Sequence, residues 1–149
     1  MNKIFDPVRR KFVLDKPEEV VRQKLILRMI NILKYPKNLI FLEKDLFLLP
    51  HLKDQNIKNI KRRADIIVFS KNIDQSCFFY PLLMIECKAV KLTECAIDQV
   101  IGYNYFVKSY FVAVANEDEI ITLYKKDDVY KRLNFLPSYR DLLNSISNG

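Results

Sequence analysis

Glycine is almost missing from this sequence: Gly102 and the terminal Gly149 are the only two in 149 residues. A Walker A loop and a dinucleotide fingerprint each need several glycines within a few residues, so nucleotide-driven motors and nucleotide cofactors of that kind are excluded. Histidine is scarcer still. His51 stands alone, which excludes metal sites built on two or more histidines. A Ser-His-Asp triad would have to run through His51, in Leu-Pro-His-Leu-Lys, and no nucleophile motif accompanies it. Tryptophan is absent. Cys77, Cys87 and Cys95 are odd in number and form no Cys-x-x-Cys pair. They read as free thiols of a reducing compartment rather than as part of a Cys3His zinc site with His51. Long apolar runs are missing too. The longest, Leu25 to Leu33, is broken by Arg28 and Asn31, whereas a membrane span needs about 20 apolar residues. The opening Met-Asn-Lys-Ile-Phe-Asp-Pro is too polar for a signal peptide. A soluble cytoplasmic chain with no membrane partner is expected.

What is present is the make-up of one globular domain, half of it apolar and 29% charged. A domain of this length buries roughly 70% of its unfolded surface and needs no disulfide or metal to fold. Lys plus Arg number 25 against 18 for Asp plus Glu, a net charge of +7, with a pI of about 9.3. The excess is clustered at Arg9-Arg10-Lys11 and at Lys58, Lys61, Arg62 and Arg63. Clustered cations bind phosphates by counterion release, and equally they form an ordinary solvated basic surface.

Along the chain, residues 1–16 read as an extended lead-in with a turn at Asp6-Pro7. Pro17-Glu18-Glu19 opens a helix, since proline and acids suit a first turn. That helix is expected over 17–34 and is stopped by Tyr35-Pro36. Strand formers follow from Leu39 to Leu48, then a polar loop over 50–61, a strand from Ala64 to Phe69, and polar turn residues at 70–76. The next strand, Phe78 to Ala89, contains Leu82-Leu83-Met84-Ile85, a continuous apolar run that suits burial on both faces. Thr93 caps a second helix reaching Lys108. Tyr110 to Ala115 is another buried strand, Asn116-Glu117-Asp118-Glu119 a turn, and Ile120 to Tyr124 its hairpin partner. Asp127 to Leu133 and Tyr139 to Ser147 each read as short helices, so the stretch from about 125 to 149 is a helical extension. The order is α-β-β-β-α-β(-β), a mixed sheet flanked by helices.

Three charged residues stand where charge is costly. Asp65 is at the mouth of a strand in Arg62-Arg63-Ala64-Asp65-Ile66-Ile67-Val68, and Glu86 and Lys88 end the most apolar strand, in Ile85-Glu86-Cys87-Lys88-Ala89. Alternation puts Glu86 and Lys88 on one face, about 6.5 Å apart. A carboxylate and an ammonium there must be paired, hold an ion, or both. Asp65 with Glu86 offers hard oxygen ligands for Mg2+ (or Mn2+), and the Cys87 carbonyl is a further donor. Lys88 is placed to orient a water and to stabilise developing negative charge. By itself the pattern fits a structural salt bridge at a strand end better, because short charged patterns arise often by chance.

With its surroundings the pattern resembles the PD-(D/E)xK nuclease superfamily, and more closely the nuclease-like N-terminal domain of type I restriction enzyme R subunits. The resemblance covers about Asp6 to Tyr124. It is carried by Asp6-Pro7-Val8-Arg9-Arg10-Lys11-Phe12-Val13, Pro17-Glu18-Glu19-Val20-Val21-Arg22-Gln23, Arg63-Ala64-Asp65-Ile66-Ile67-Val68-Phe69, Ile85-Glu86-Cys87-Lys88-Ala89 and Asp98-Gln99-Val100-Ile101-Gly102-Tyr103-Asn104. It implies a restriction-endonuclease-like αβββαβ core and a metal-dependent DNA endonuclease with Asp65, Glu86 and Lys88 as its catalytic set. Glu19, or else Glu18, assists the metal, and Gln99 lies beside it. Tyr103 shares a face with Gln99 and either touches DNA, with Arg62 and Arg63, or packs. Arg22-Gln23 either buttresses the site or solvates the helix. The large R subunits continue into a DNA-translocating motor, and this chain stops short of one. A homodimer is compatible with the fold. The alternative reading is a catalytically silent module, binding nucleic acid or a partner, that keeps the nuclease fold.

Overall fold

The computed structural model describes residues 2–45, 63–75 and 77–148. A two-stranded ribbon comes first, β1 (Lys3–Asp6) against β2 (Lys11–Leu14), where an extended lead-in was expected. Helix α1 (Pro17–Asn31) follows, then a short 3-10 turn and β3 (Ile40–Asp45). Next come β4 (Arg63–Asp74), β5 (Cys77–Cys87), α2 (Glu94–Val107), β6 (Phe111–Ala115), β7 (Ile120–Lys126), β8 (Val129–Leu133) and α3 (Tyr139–Asn148). The six-stranded sheet runs β3-β4-β5-β6-β7-β8. Only the β5–β6 neighbours are parallel, joined through α2, so the sheet is mixed. This is an α/β fold of the restriction-endonuclease-like kind.

Two apolar layers hold the sheet from either side. Val21, Ile26 and Met29 of α1 and Leu142 of α3 meet Ile66, Val68, Leu83 and Ile85. On the opposite face Ala96, Ile97, Val100 and Val107 of α2 meet Ile67, Phe69, Met84, Val112 and Val114. Covered on both faces, the second half of β5 (Leu82 to Ile85) and all of β6 have no solvent side, which is why these stretches run apolar without alternating. Thr93 caps α2 by accepting from the Ala96 N–H at 3.2 Å, as its residue type predicted.

Three expectations are corrected. Asp127 to Leu133 is not helical: Val129–Leu133 is an edge strand paired with β7. Asp127 and Asp128 both take positive φ, 54° and 62°, and close a two-residue hairpin whose left-handed backbone matches the strand twist. Residues 70–74 extend β4 rather than forming a turn, with a register irregularity between Lys71 and Asp74. Helix α1 ends at Asn31, three residues early, and Lys34 then takes φ 60°. The loop expected at 50–61, with His51, Lys58, Lys61 and Arg62, lies outside the described residues. Among the described residues no helix is long and apolar enough to cross a membrane.

Candidate active site

The antiparallel register between β4 and β5 pairs Ile66 with Ile85, so one step further Asp65 stands level with Glu86. Between β3 and β4 the register pairs Leu42 with Ile66 and Lys44 with Ala64, which sets Glu43 level with Asp65 from the other side. Three adjacent strands thus each bring one acid to the same height. The Cys87 backbone N–H donates to Asp65 Oδ2 at 2.7 Å, tying the start of β4 to the end of β5. Lys88 continues the strand path, its N–H donating to the Ala115 carbonyl at 2.8 Å.

Helix α1 supplies the facing wall. Pro17 opens it, and Glu19, Arg22 and Gln23 turn inward and are buried. The Arg22 guanidinium is the hub: Nε donates to Glu19 Oε2 at 2.5 Å, Nη2 to Glu43 Oε1 at 3.1 Å and Nη1 to the Asp65 carbonyl at 3.5 Å. Its Nη1 is 4.0 Å from Asp65 Oδ1. Arg9 reaches in from the ribbon to Asp6 Oδ2 at 2.5 Å, to Glu19 Oε1, and to Glu43 Oε2 at 3.2 Å. Two guanidiniums therefore interleave with the carboxylates of Asp6, Glu19 and Glu43. Glu43 holds its place with φ 52°, a left-handed conformation unfavourable for a residue with a Cβ, and such strain collects at functional sites. Gln23 is buried, and neither of its amide atoms finds a hydrogen-bond partner among the described residues.

The electrostatics follow from burial and pairing. Burial pushes the Asp6 carboxyl up, but the N–H groups of Arg9 and Val8 and the Arg9 guanidinium outweigh it and hold it below its ordinary 3.8. Burial likewise opposes ionisation of Glu19, and Arg22 and Arg9 together bring it below 4.5. Arg22 is held still more firmly protonated: burial works against its charge, and Glu19 and Glu43 overcome that. Burial, reinforced by Asp65, raises the Cys87 thiol, which stays neutral. All three cysteines are free thiols.

Glu19, Arg22, Glu43, Asp65 and Cys87 line a cleft of about 380 Å³ together with β2 and the first turn of α1, whereas Asp6 and Arg9 stand outside its walls. Glu86 and Lys88, both half-buried, are not among its walls. They alternate in step with Met84, whose side chain packs in the α2 layer. Gln99 is exposed on α2, and Tyr103 is partly buried against the α2 layer; neither reaches the cleft. Arg63 is exposed at the start of β4, and Arg62 lies outside the described residues. Among the described residues no group of three or more His, Cys, Asp or Glu side chains is arranged to hold a metal ion. Sequence reasoning missed Glu43, Asp6 and the clustering role of Arg9. The signal for Glu43 was available: it is an acid breaking the apolar run Leu39-Ile40-Phe41-Leu42.

A mixed sheet between helices, with charged groups gathered around the start of β4, is an α/β class compatible with the restriction-endonuclease-like fold. The particular family comes from the sequence. The profile described as type I restriction enzyme R protein N terminus matches residues 17–138, most of the chain, and the chain belongs to that family. No curated protein matches it, and no solved structure does.

Proposed function

We propose that this chain is a metal-dependent DNA endonuclease domain. The observation that carries the reading is the 2.7 Å bond from the Cys87 N–H to Asp65 Oδ2, which holds Asp65 level with Glu86 at adjoining strand ends. By residue type, though not by position in the cleft, the donors suit a divalent cation: Asp65 and Cys87 line the cleft and Glu86 lies outside its walls. Asp65 spends Oδ2 on the N–H, while Oδ1 stays beyond hydrogen-bond reach of Arg22. Asp65, Glu86 and the Cys87 carbonyl are hard oxygen donors, and Mg2+ (or Mn2+) completes an incomplete protein set with water. When bound, the cation would acidify a water and offset phosphate charge. Lys88 orients the attacking water and stabilises charge gathering on the phosphate oxygens. Glu19 supports the site by fixing Arg22, and Gln99 and Tyr103 enter on the family resemblance alone, from α2 outside the cleft. Arg62, Arg63 and Tyr103 contact the DNA backbone.

The test is plasmid nicking. Cleavage should require Mg2+ or Mn2+ and fall at least about a hundred-fold in Lys88→Ala and in Asp65→Ala. A second reading has its own observation: Arg9 and Arg22 already neutralise Glu19 and Glu43. A site so compensated suits a silent module that binds nucleic acid or a partner. DNA binding that survives both substitutions, with no cleavage by the unaltered chain at any metal concentration, would select it.

A further inference from the structure

The ribbon of β1 and β2 takes no part in the proposed chemistry, yet it forms one wall of the acid cleft. Its base is rigid. Asp6, fully buried, accepts from the Val8 and Arg9 N–H groups at 2.8 and 2.9 Å. The turn closes with the Arg10 N–H on the Asp6 carbonyl at 2.8 Å, Arg10 taking φ 55°. The Asp15 N–H reaches the Asn2 carbonyl at 3.0 Å and seals the open end. Arg9 then bolts this platform to Glu19 and Glu43.

Its outer face is left open. Phe5 and Phe12 are directly opposed across the ribbon, with ring centroids 5.4 Å apart in an edge-to-face pair. They are 52% and 66% exposed, and Leu14 beside them is 44% exposed. Phe12 and Leu14 also line the cleft that holds Glu19 and Asp65. Lys3, Arg10, Lys11 and Lys16 are all exposed, and Lys11 and Lys16 line the same cleft as Phe12 and Leu14. Whereas Arg9 is consumed by carboxylates, Lys3, Arg10, Lys11 and Lys16 make no ion pair among the described residues.

We infer that the ribbon binds an unpaired nucleic-acid strand, with Phe12 stacking on a base and Lys11 and Lys16 holding the flanking phosphates as the strand enters the cleft. Exposed rings interleaved with cations are what sequence-tolerant single-strand binding requires, because every base has a stacking face and every linkage a charge. A duplex hides its base faces in its own stack and leaves the rings without a partner. A second copy of the chain is disfavoured by charge: an isologous contact through this face would bring each lysine cluster against its own copy. The inference deepens the nuclease reading and relies on it only for what the cleft does.

Because the chain has no tryptophan, Phe12→Trp installs a single indole reporter. In EDTA, titrating the full-length variant with dT20 should quench its emission, and a 20-base-pair duplex should not. By anisotropy, Phe12→Ala should weaken dT20 binding about ten-fold and Phe12→Tyr by less than about two-fold. Lys11→Ala with Lys16→Ala should flatten the salt dependence by about 1.4 in log–log slope, roughly 0.7 per phosphate. Circular dichroism checks that each variant is folded. Binding of dT20 without quenching, equal quenching by duplex, an unchanged Phe12→Ala, or no dT20 binding at all overturns the inference. So does a dimer that Phe12→Ala converts to monomer without loss of dT20 affinity. Plasmid cleavage in Mg2+ is scored separately: cleavage without quenching sinks the ribbon and spares the nuclease, and quenching without cleavage does the reverse.

Discussion

Where α2 gives way to β6, Asn104 and Ser109 form a small neutral cluster, buried and complete. Asn104 Oδ1 accepts from the Ser109 N–H at 2.8 Å, and its Nδ2 donates to the Ser109 carbonyl at 3.0 Å. The Ser109 hydroxyl has Asn104 Oδ1 at 2.7 Å and the Phe111 carbonyl at 2.8 Å. At the other end of the sheet, Arg9 and Arg22 tie together Asp6, Glu19 and Glu43 from the ribbon, α1 and β3. The neutral cluster lies within the eight residues from Asn104 to Phe111 and satisfies itself. The charged one draws on three separate elements, keeps Glu43 in an unfavourable backbone conformation, and encloses the unsatisfied Gln23. A polar cluster that closes a turn can be local and complete. One that shapes a cleft has to leave groups facing an empty space, and its cost is carried by ion pairs.

The comparison predicts unequal damage. Arg22→Met should be the most destabilising change, by about 3 kcal/mol in urea unfolding, because it strands buried Glu19 with less compensation. An unchanged midpoint would mean that the cluster is solvated rather than structural. Acid should separate the two ends next. Asp6 and Glu19 ionise more readily folded than their ordinary 3.8 and 4.5, so the stability they give is whole above those values and is lost as the pH falls through the lower folded values. Urea midpoints should hold down to about pH 5 and drop below about pH 4, and Asp6→Asn should blunt that drop. The neutral cluster has nothing to titrate there. Ser109→Ala should cost about 1.5 kcal/mol at any pH, since it removes the hydroxyl from Asn104 Oδ1 and the Phe111 carbonyl while both backbone bonds to Asn104 remain. Smallest, and opposite in sign, Gln23→Met should raise stability by about 1 kcal/mol, since it removes two unsatisfied polar atoms and keeps the volume. A loss instead would show that the Gln23 amide has a partner in solution.

Much of this was legible beforehand. The helices at Pro17 and Thr93, the buried strands and the mixed sheet follow from caps, breakers and apolar runs, which are local signals. The ribbon was not, because Asp6-Pro7-Val8-Arg9-Arg10 closes a hairpin through a buried aspartate and a left-handed arginine rather than through glycine. Edge strand β8 was hidden in the same way by Asp127-Asp128, a turn pair without the usual glycine. Glu43 was passed over because strand formers on both sides masked it. Asp65, Glu86 and Lys88 could be singled out by charge in apolar surroundings, but not their mutual placement.

The order of caps, apolar runs and acids along the chain determined the α/β class and the family, since those depend on neighbours within a few positions. Only the folded molecule decided that Arg9 and Arg22 would bridge acids from the ribbon, α1 and β3, and that Asp65 would meet Cys87 rather than solvent. The bonds from Arg9 and Arg22 to Glu43 and from the Cys87 N–H to Asp65 join residues 21 to 34 positions apart, and their geometry is set by strand register and helix docking, which no local pattern encodes.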